Sequence, residues 1–399
     1  MAFARLPSLA PRLARRALPC LLAGALGLGG NAAQAGGAWS ATSLDPATQG
    51  SQPAGQLVVT ADGASIGTAL AGGANGAGTV FGVDAAGHVT VLHAFSGSDG
   101  YGPIAGLARG SDGLYYGTTA LGGDHGLGVV YRISAQGDFE LLHSFDPVAD
   151  HGASGVSSAL TLGPDGNFYG TSPRAGSYPQ HTGTVFRVTP SGDVTVVFVF
   201  GVHARDPYAG VTPGPDGRLY GLTSSDGDTG CGTLYSLALD GSDFKVQYHF
   251  DHLHAGCQPM ATMALGPDQK LYGTTQFGGP KGAVGGLFRY DPATARLNTL
   301  HVFHDDDPVG SDPVAGVSVD AHGAIYGTTA FGGPTGHGAI YRRMPDGSIE
   351  LLRAFARSGK DGENPQSAPA VDGSHHLVGS TLSEGESGGG TVWRLKLPH

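Results

Sequence analysis

A short string built around Tyr-Gly-Thr returns seven times along this chain, so the fold must supply seven copies of one structural unit. The copies read Ser65-Ile66-Gly67-Thr68, Tyr116-Gly117-Thr118-Thr119, Tyr169-Gly170-Thr171, Tyr220-Gly221-Leu222-Thr223, Tyr272-Gly273-Thr274-Thr275, Tyr326-Gly327-Thr328-Thr329 and Val378-Gly379-Ser380-Thr381. Their central glycines are spaced 50, 53, 51, 52, 54 and 52 residues apart. Self-similarity at such a period marks a solenoid, a propeller or another array.

Each copy carries four short runs. The first follows a proline, as in Pro103-Ile104-Ala105-Gly106-Leu107. A turn such as Asp112-Gly113 leads to the Tyr-Gly-Thr run; such dipeptides tolerate the positive φ angles of two-residue hairpins. A glycine-rich loop reaches the third run, Gly183-Thr184-Val185-Phe186-Arg187-Val188, and a second turn reaches the fourth, Val89-Thr90-Val91-Leu92-His93-Ala94-Phe95. With 70 Gly and 25 Pro among 399 residues and only 14% charged side chains, helical bundles and coiled coils are excluded. The expected fold is all-β: a seven-bladed β-propeller of four-stranded antiparallel blades. Blades start near residues 53, 103, 155, 207, 259, 313 and 365. The seventh copy stops one strand short, and residues 38–44 are expected to supply that strand. This three-plus-one closure would bring Trp39 to Trp393 and leave no unpaired sheet edge at the seam.

Residues 1–35 read as a secretory signal peptide. Arg5, Arg12, Arg15 and Arg16 form a basic start, Leu18 to Leu28 a short apolar run, and Ala33-Gln34-Ala35 a small-residue cleavage site. Residues 36–399 then form a single propeller, expected to be monomeric and outside the cytoplasm, secreted or periplasmic. No later stretch has the length and apolarity of a membrane span. Four of the 22 basic residues lie in the leader, so the remainder carries 18 basic against 33 acidic side chains, a net −15. That charge disfavours nucleic acid and anionic lipid as partners.

The ordered Tyr-Gly-Thr-Thr, Gly-Gly and Gly-Thr-Val-Phe elements resemble the Gloeo/Verruco (GloVer) tandem repeat of exported bacterial proteins, over nearly all of residues 53–397. More distantly, the strand order is similar to NHL and YWTD propeller blades. The resemblance implies export and repeat architecture, and no particular activity. Such proteins often end in a surface-sorting tail; here Pro398-His399 follows directly on the last expected strand.

Strand direction alternates, so loops after the second and fourth strands share one face, and these are the long, variable ones. Ligand sites favour variable loops over a rigid scaffold. These loops hold sixteen acids against five bases, and eight of the 17 histidines. Candidate ligand-binding residues there are His203, Arg205 and Tyr208 on one loop, Arg174, Tyr178 and His181 on another, and His125, His252 and His254. Asp305, Asp306, Asp307 and Asp312 are the candidate Ca²⁺ ligands, carboxylates being the oxygen donors that ion prefers; otherwise no cofactor is expected. The competing reading is a solvated acidic rim.

Cys231 and Cys257 lie in two loops of the same blade and face, which favours a disulfide; the alternative is a metal pair with His252 or His254. His93, His143 and His301 occupy one repeat position, held elsewhere by Phe198, Tyr248 and Arg353, and read as structural. Gly63-Ala64-Ser65-Ile66-Gly67 matches a nucleophile motif but sits on a hairpin, without the strand-turn-helix elbow it needs. The leading function is a binding or interaction module for an extracellular carbohydrate or protein. The alternative is an extracellular polysaccharide-active enzyme, lyase- or hydrolase-like, on the same face, with His203, Arg205 and Tyr208, or Arg174, Tyr178 and His181, as base, carboxylate clamp and acid.

Overall fold

Short β-prone runs separated by tight turns pair most readily with their sequence neighbours, and in six of the seven repeats all four do so. The computed structural model describes residues 37–174, 182–201, 204–280, 283–356, 360–372 and 375–398. The leader expected over residues 1–35 lies outside them. Seven four-stranded antiparallel sheets form. The first blade runs through Val58–Val59, Ser65–Ala69, Thr79–Val83 and Val89–Ala94, and the next five repeat that order.

The seventh blade has three consecutive strands, Ala370–Val371, His376–Thr381 and Thr391–Lys396, and takes its outer strand, Trp39–Ser43, from the opposite end of the sequence. Trp39 pairs with Leu395 and Ser43 with Thr391. The Trp39 and Trp393 rings stack with centroids 5.7 Å apart, and the Arg353 guanidinium lies 3.9 Å over Trp39. The expected three-plus-one closure is therefore present. Six blades carry a β-bulge between third and fourth strands, one residue before the third-strand aromatic. The added seventh-blade strand pairs without one.

The glycine of Tyr-Gly-Thr is explained by what faces it. Gly67, Gly117, Gly170, Gly221, Gly273, Gly327 and Gly379 lie directly across from Phe81, Tyr131, Phe186, Tyr235, Phe288, Tyr341 and Trp393. Each ring folds over its glycine so closely that a Cβ would meet ring atoms at 3.0 Å or less. The following hydroxyl links blades. Thr68 donates to the Ala105 carbonyl of blade two (2.8 Å), Thr171 to Ala209 (2.9 Å), Thr274 to Ala315 (2.7 Å), and Ser380 returns to Pro53 of blade one (2.8 Å). Blade four has Leu222 there, and Thr212 instead donates to the Met263 carbonyl at 2.7 Å.

The proline-led runs are expected to be the first strands of their blades, yet in blade two only Ala108–Arg109, just beyond the run, pair in the sheet. Their upstream carbonyls accept from the neighbouring blade instead. Apolar clusters fill the seven junctions between blades. The seam cluster joins Leu44, Leu57 and Phe81 to Val378 and Val392. Among the described residues no helix is long and apolar enough to cross a membrane.

Gly221→Ala should cost about 2–3 kcal/mol through overpacking against Tyr235. The hydroxyls of Tyr131, Tyr235 and Tyr341 are buried without a partner among the described residues, and the equivalent residues in blades one, three and five are Phe. Tyr235→Phe should therefore leave stability unchanged or raise it by about 1 kcal/mol. Urea unfolding of both variants checks this; a clear loss in Tyr235→Phe would mean the hydroxyl is bonded.

Candidate functional site

The long-loop face is assembled the same way in every blade. The segment entering the first strand makes one antiparallel bridge to the loop leaving the second: Ser51 to Ala71, Tyr101 to Leu121, Ser154 to Arg174, Arg205 to Ser225, Cys257 to Phe277, Ser311 to Phe331 and Glu363 to Ser383. Those bridges place both sets of loops on one face, as strand parity requires. The next residue, Gln52, Gly102, Gly155, Asp206, Gln258, Asp312 or Asn364, is left-handed in all seven copies, with φ between 54° and 69°. Non-glycine residues rarely adopt that conformation. Here it turns the carbonyl toward the blade's own loop, as when Asp312 accepts from Ala330 (3.1 Å). The amide turns to the preceding blade, as when Gln258 donates to Cys231 (2.9 Å).

Side chains then vary on this frame. Tyr101, Leu121 and Phe331 are 44%, 49% and 50% exposed. Beside them the acids are mostly engaged. His93 meets Asp99 at 2.9 Å, His143 meets Asp150 at 2.7 Å and His301 meets Asp307 at 2.7 Å. Arg353, at the same repeat position, meets Asp361 at 2.7 Å. These pairs tie the outer strand to the loop crossing into the next blade. The sequence signal is an acid six to eight residues after the basic residue, present in these four blades. Burial pushes the Asp307 carboxyl up, but hydrogen bonds from His301 and the Val309 amide outweigh it, leaving the group below its ordinary value. Asp99 is likewise lowered: burial raises it, and the Ser96 and His93 hydrogen bonds overcome that.

The candidate residues do not form one constellation. His203, Tyr178 and His181 lie outside the described residues. Arg205 is exposed and held bidentately by Asp226, which raises its guanidinium further. Tyr208 is half-buried and Arg174 exposed. His125 pairs with Asp146 at 3.2 Å and His254 with Asp251 at 2.9 Å. His252 is exposed beside the bonded Cys231–Cys257 pair. That disulfide is the arrangement expected from the loop parity, and it points to an extracytoplasmic location. Asp305 and Asp306 are exposed, while Asp307 is committed to His301. Among the described residues the four aspartates supply no group of three within reach of one ion; the group that does meet that test is Cys231, His252 and Cys257.

The sequence matches the family described as the Gloeobacter/Verrucomicrobia repeat over residues 33–206 and 156–393. The chain belongs to that family. No curated protein matches it. Among solved structures it is similar to virginiamycin B lyase from Staphylococcus aureus, at 14% identity and a TM-score of 0.60, covering 90% of this chain and all of that one. An oligogalacturonate lyase in complex with manganese is 12% identical with a TM-score of 0.57, over 90% of this chain and 91% of the other. The extracellular domain of a hybrid two-component system from B. thetaiotaomicron is 10% identical at a TM-score of 0.57, over 90% of this repeat protein and 41% of that chain. At such identities the likeness is one of fold, a scaffold that carries both enzymes and sensor domains.

The lowered carboxyls set an acid limit on this face. Between the folded value of Asp307 and the ordinary unfolded value, about 3.9, the unfolded chain binds more protons, so stability rises with pH there. The contribution is complete above that unfolded value and is lost as pH falls through the folded one. Asp307→Asn should lower stability by about 1–2 kcal/mol at pH 6 and flatten the dependence between pH 5 and 2. Urea midpoints across that range check both; an equally steep variant would show that Asp307 is not depressed.

Proposed function

We propose that this exported propeller is a binding module that takes a neutral, hydroxyl-rich glycan on its long-loop face. The observation that carries the reading is the state of the charged groups there. Arg205, Arg353 and Lys360 are already paired with Asp226, Asp361 and Glu386. Exposed Arg174 has no ion pair among the described residues, but at the three paired positions an anionic polymer would have to displace an acid. A neutral sugar would not, and the half-exposed rings of Tyr101 and Phe331 offer apolar faces beside polar loops. Sugar rings stack on such faces while their hydroxyls bond to the carboxylate, amide and imidazole groups nearby.

A polysaccharide-active enzyme at the same place is the rival. In it Arg205 would clamp a substrate carboxylate, and its bidentate bond to Asp226 weighs against that role. A glycan array together with an activity screen, with and without Ca²⁺, separates the two. Binding to neutral glycans, weak binding to uronate polymers and no turnover are expected. Tyr101→Ala should weaken binding at least tenfold, the scale of losing one stacked ring (about 1.4 kcal/mol or more). Turnover of any polymer would replace the module with an enzyme, and failure to bind any glycan would remove the sugar.

A further inference from the structure

The disulfide lies beside a third donor. Cys231 is fully buried and Cys257 is 4% exposed, both within the cluster that joins blades four and five. His252, on the loop after the outer strand of blade four, places a ring nitrogen so that it and the two sulfurs all lie within 4.8 Å of one another.

The positions of these three residues do not depend on the sulfur–sulfur bond alone. Cys257 exchanges both backbone hydrogen bonds with Phe277, at 2.6 and 3.1 Å. The Cys231 carbonyl accepts from the Gln258 amide at 2.9 Å, and the His252 carbonyl from the Gly279 amide at 2.9 Å. Opening the bridge would therefore leave two thiols and an imidazole held close together by the surrounding backbone.

We propose that reduction converts this staple into a binding site for a soft or borderline divalent cation of the zinc type. Cys231, Cys257 and His252 would be three ligands and water the fourth. The chemistry balances with a dithiol as reductant. It delivers two electrons and two protons to the disulfide and is itself oxidised to a disulfide. The incoming cation then releases the two thiol protons to solvent. Two thiolates cancel the charge of the cation, so the buried site carries no net charge. Thiolate and imidazole suit Zn²⁺, whereas Ca²⁺ and Mn²⁺ favour oxygen donors. The exposed side of His252 gives entry, and Asp228 and Asp251 on the same loops draw cations toward it.

Co²⁺ serves as the spectroscopic probe. The purified protein is reduced with a phosphine, freed of reductant without oxygen, and titrated. The expected result is one Co²⁺ per chain, with thiolate-to-metal charge transfer and tetrahedral d–d bands, in the reduced protein alone. His252→Ala should weaken affinity at least tenfold. A reduced Cys231→Ser/Cys257→Ser double variant should show no charge-transfer band. The site is ruled out by wild-type binding no tighter than that of the double variant, by unchanged affinity in His252→Ala, or by loss of the β-sheet circular dichroism on reduction.

Discussion

One contact recurs without exception in the seven blades: a third-strand aromatic ring lying over a second-strand glycine. It is a packing constraint of a severe kind. The ring needs the space of a missing side chain, and the glycine needs the ring to cover its backbone. Because Gly221 and its equivalents let the two strands close on each other, the next residue is set at the blade's inner end. There, in six of the seven blades, its hydroxyl reaches the adjacent blade, and Thr212 makes the equivalent link where Leu222 has none. The step from Thr68 to Ala105 and the step from Ser380 back to Pro53 are the same bond made at different points of a circle. A ring of near-identical sheets follows from a pair of residues repeated with fixed spacing.

Closure is where the repetition breaks. The seventh sheet completes itself with Trp39–Ser43 from the other end of the sequence, and the largest side chains in the chain collect there. Trp393 stands where the other blades use Phe or Tyr. Trp39 stacks on it, and its indole Nε1 donates to Asp361 at 3.2 Å. Arg353 both covers Trp39 and binds the same aspartate. The seam therefore joins apolar area, a cation–π contact and an ion pair at one point. This covers the edge that a ring made of a single chain would otherwise leave open.

Most of this architecture can be read in the sequence because repetition supplies its own internal alignment. The period counts the blades, and the missing fourth run in the last copy points to the segment that replaces it. Strand parity then places Cys231 and Cys257 on one face. The site was less legible, for a physical reason. Arg205 reads as a free clamp until the register shows Asp226, 21 residues on, facing it across a bridge between two loops. His93, His143 and His301 read as structural, but that they hold Asp99, Asp150 and Asp307 needs distances that no spacing supplies. The short innermost strands were hidden as well. Proline-led runs look like strands, yet their carbonyls are taken by hydroxyls from the neighbouring blade.

These engaged charges change what an acidic face means. Counted as residues, the loops present a strong excess of carboxylates, which suggests a cation trap. As a structure, several of those carboxylates anchor the loops from beneath: one oxygen meets an imidazole or guanidinium of the outer strand, while backbone amides such as those of Ser96 and Val309 take others. Arg353 makes the point by substitution within a single chain, since an always-charged donor fills the position that histidine fills in three other blades. What varies above these anchors is the bridge residue, with Ala, Leu, Arg, Ser and Phe on the seven blades. A frame fixed by repeated charges, carrying unrepeated side chains at its rim, can change its ligand without changing its fold.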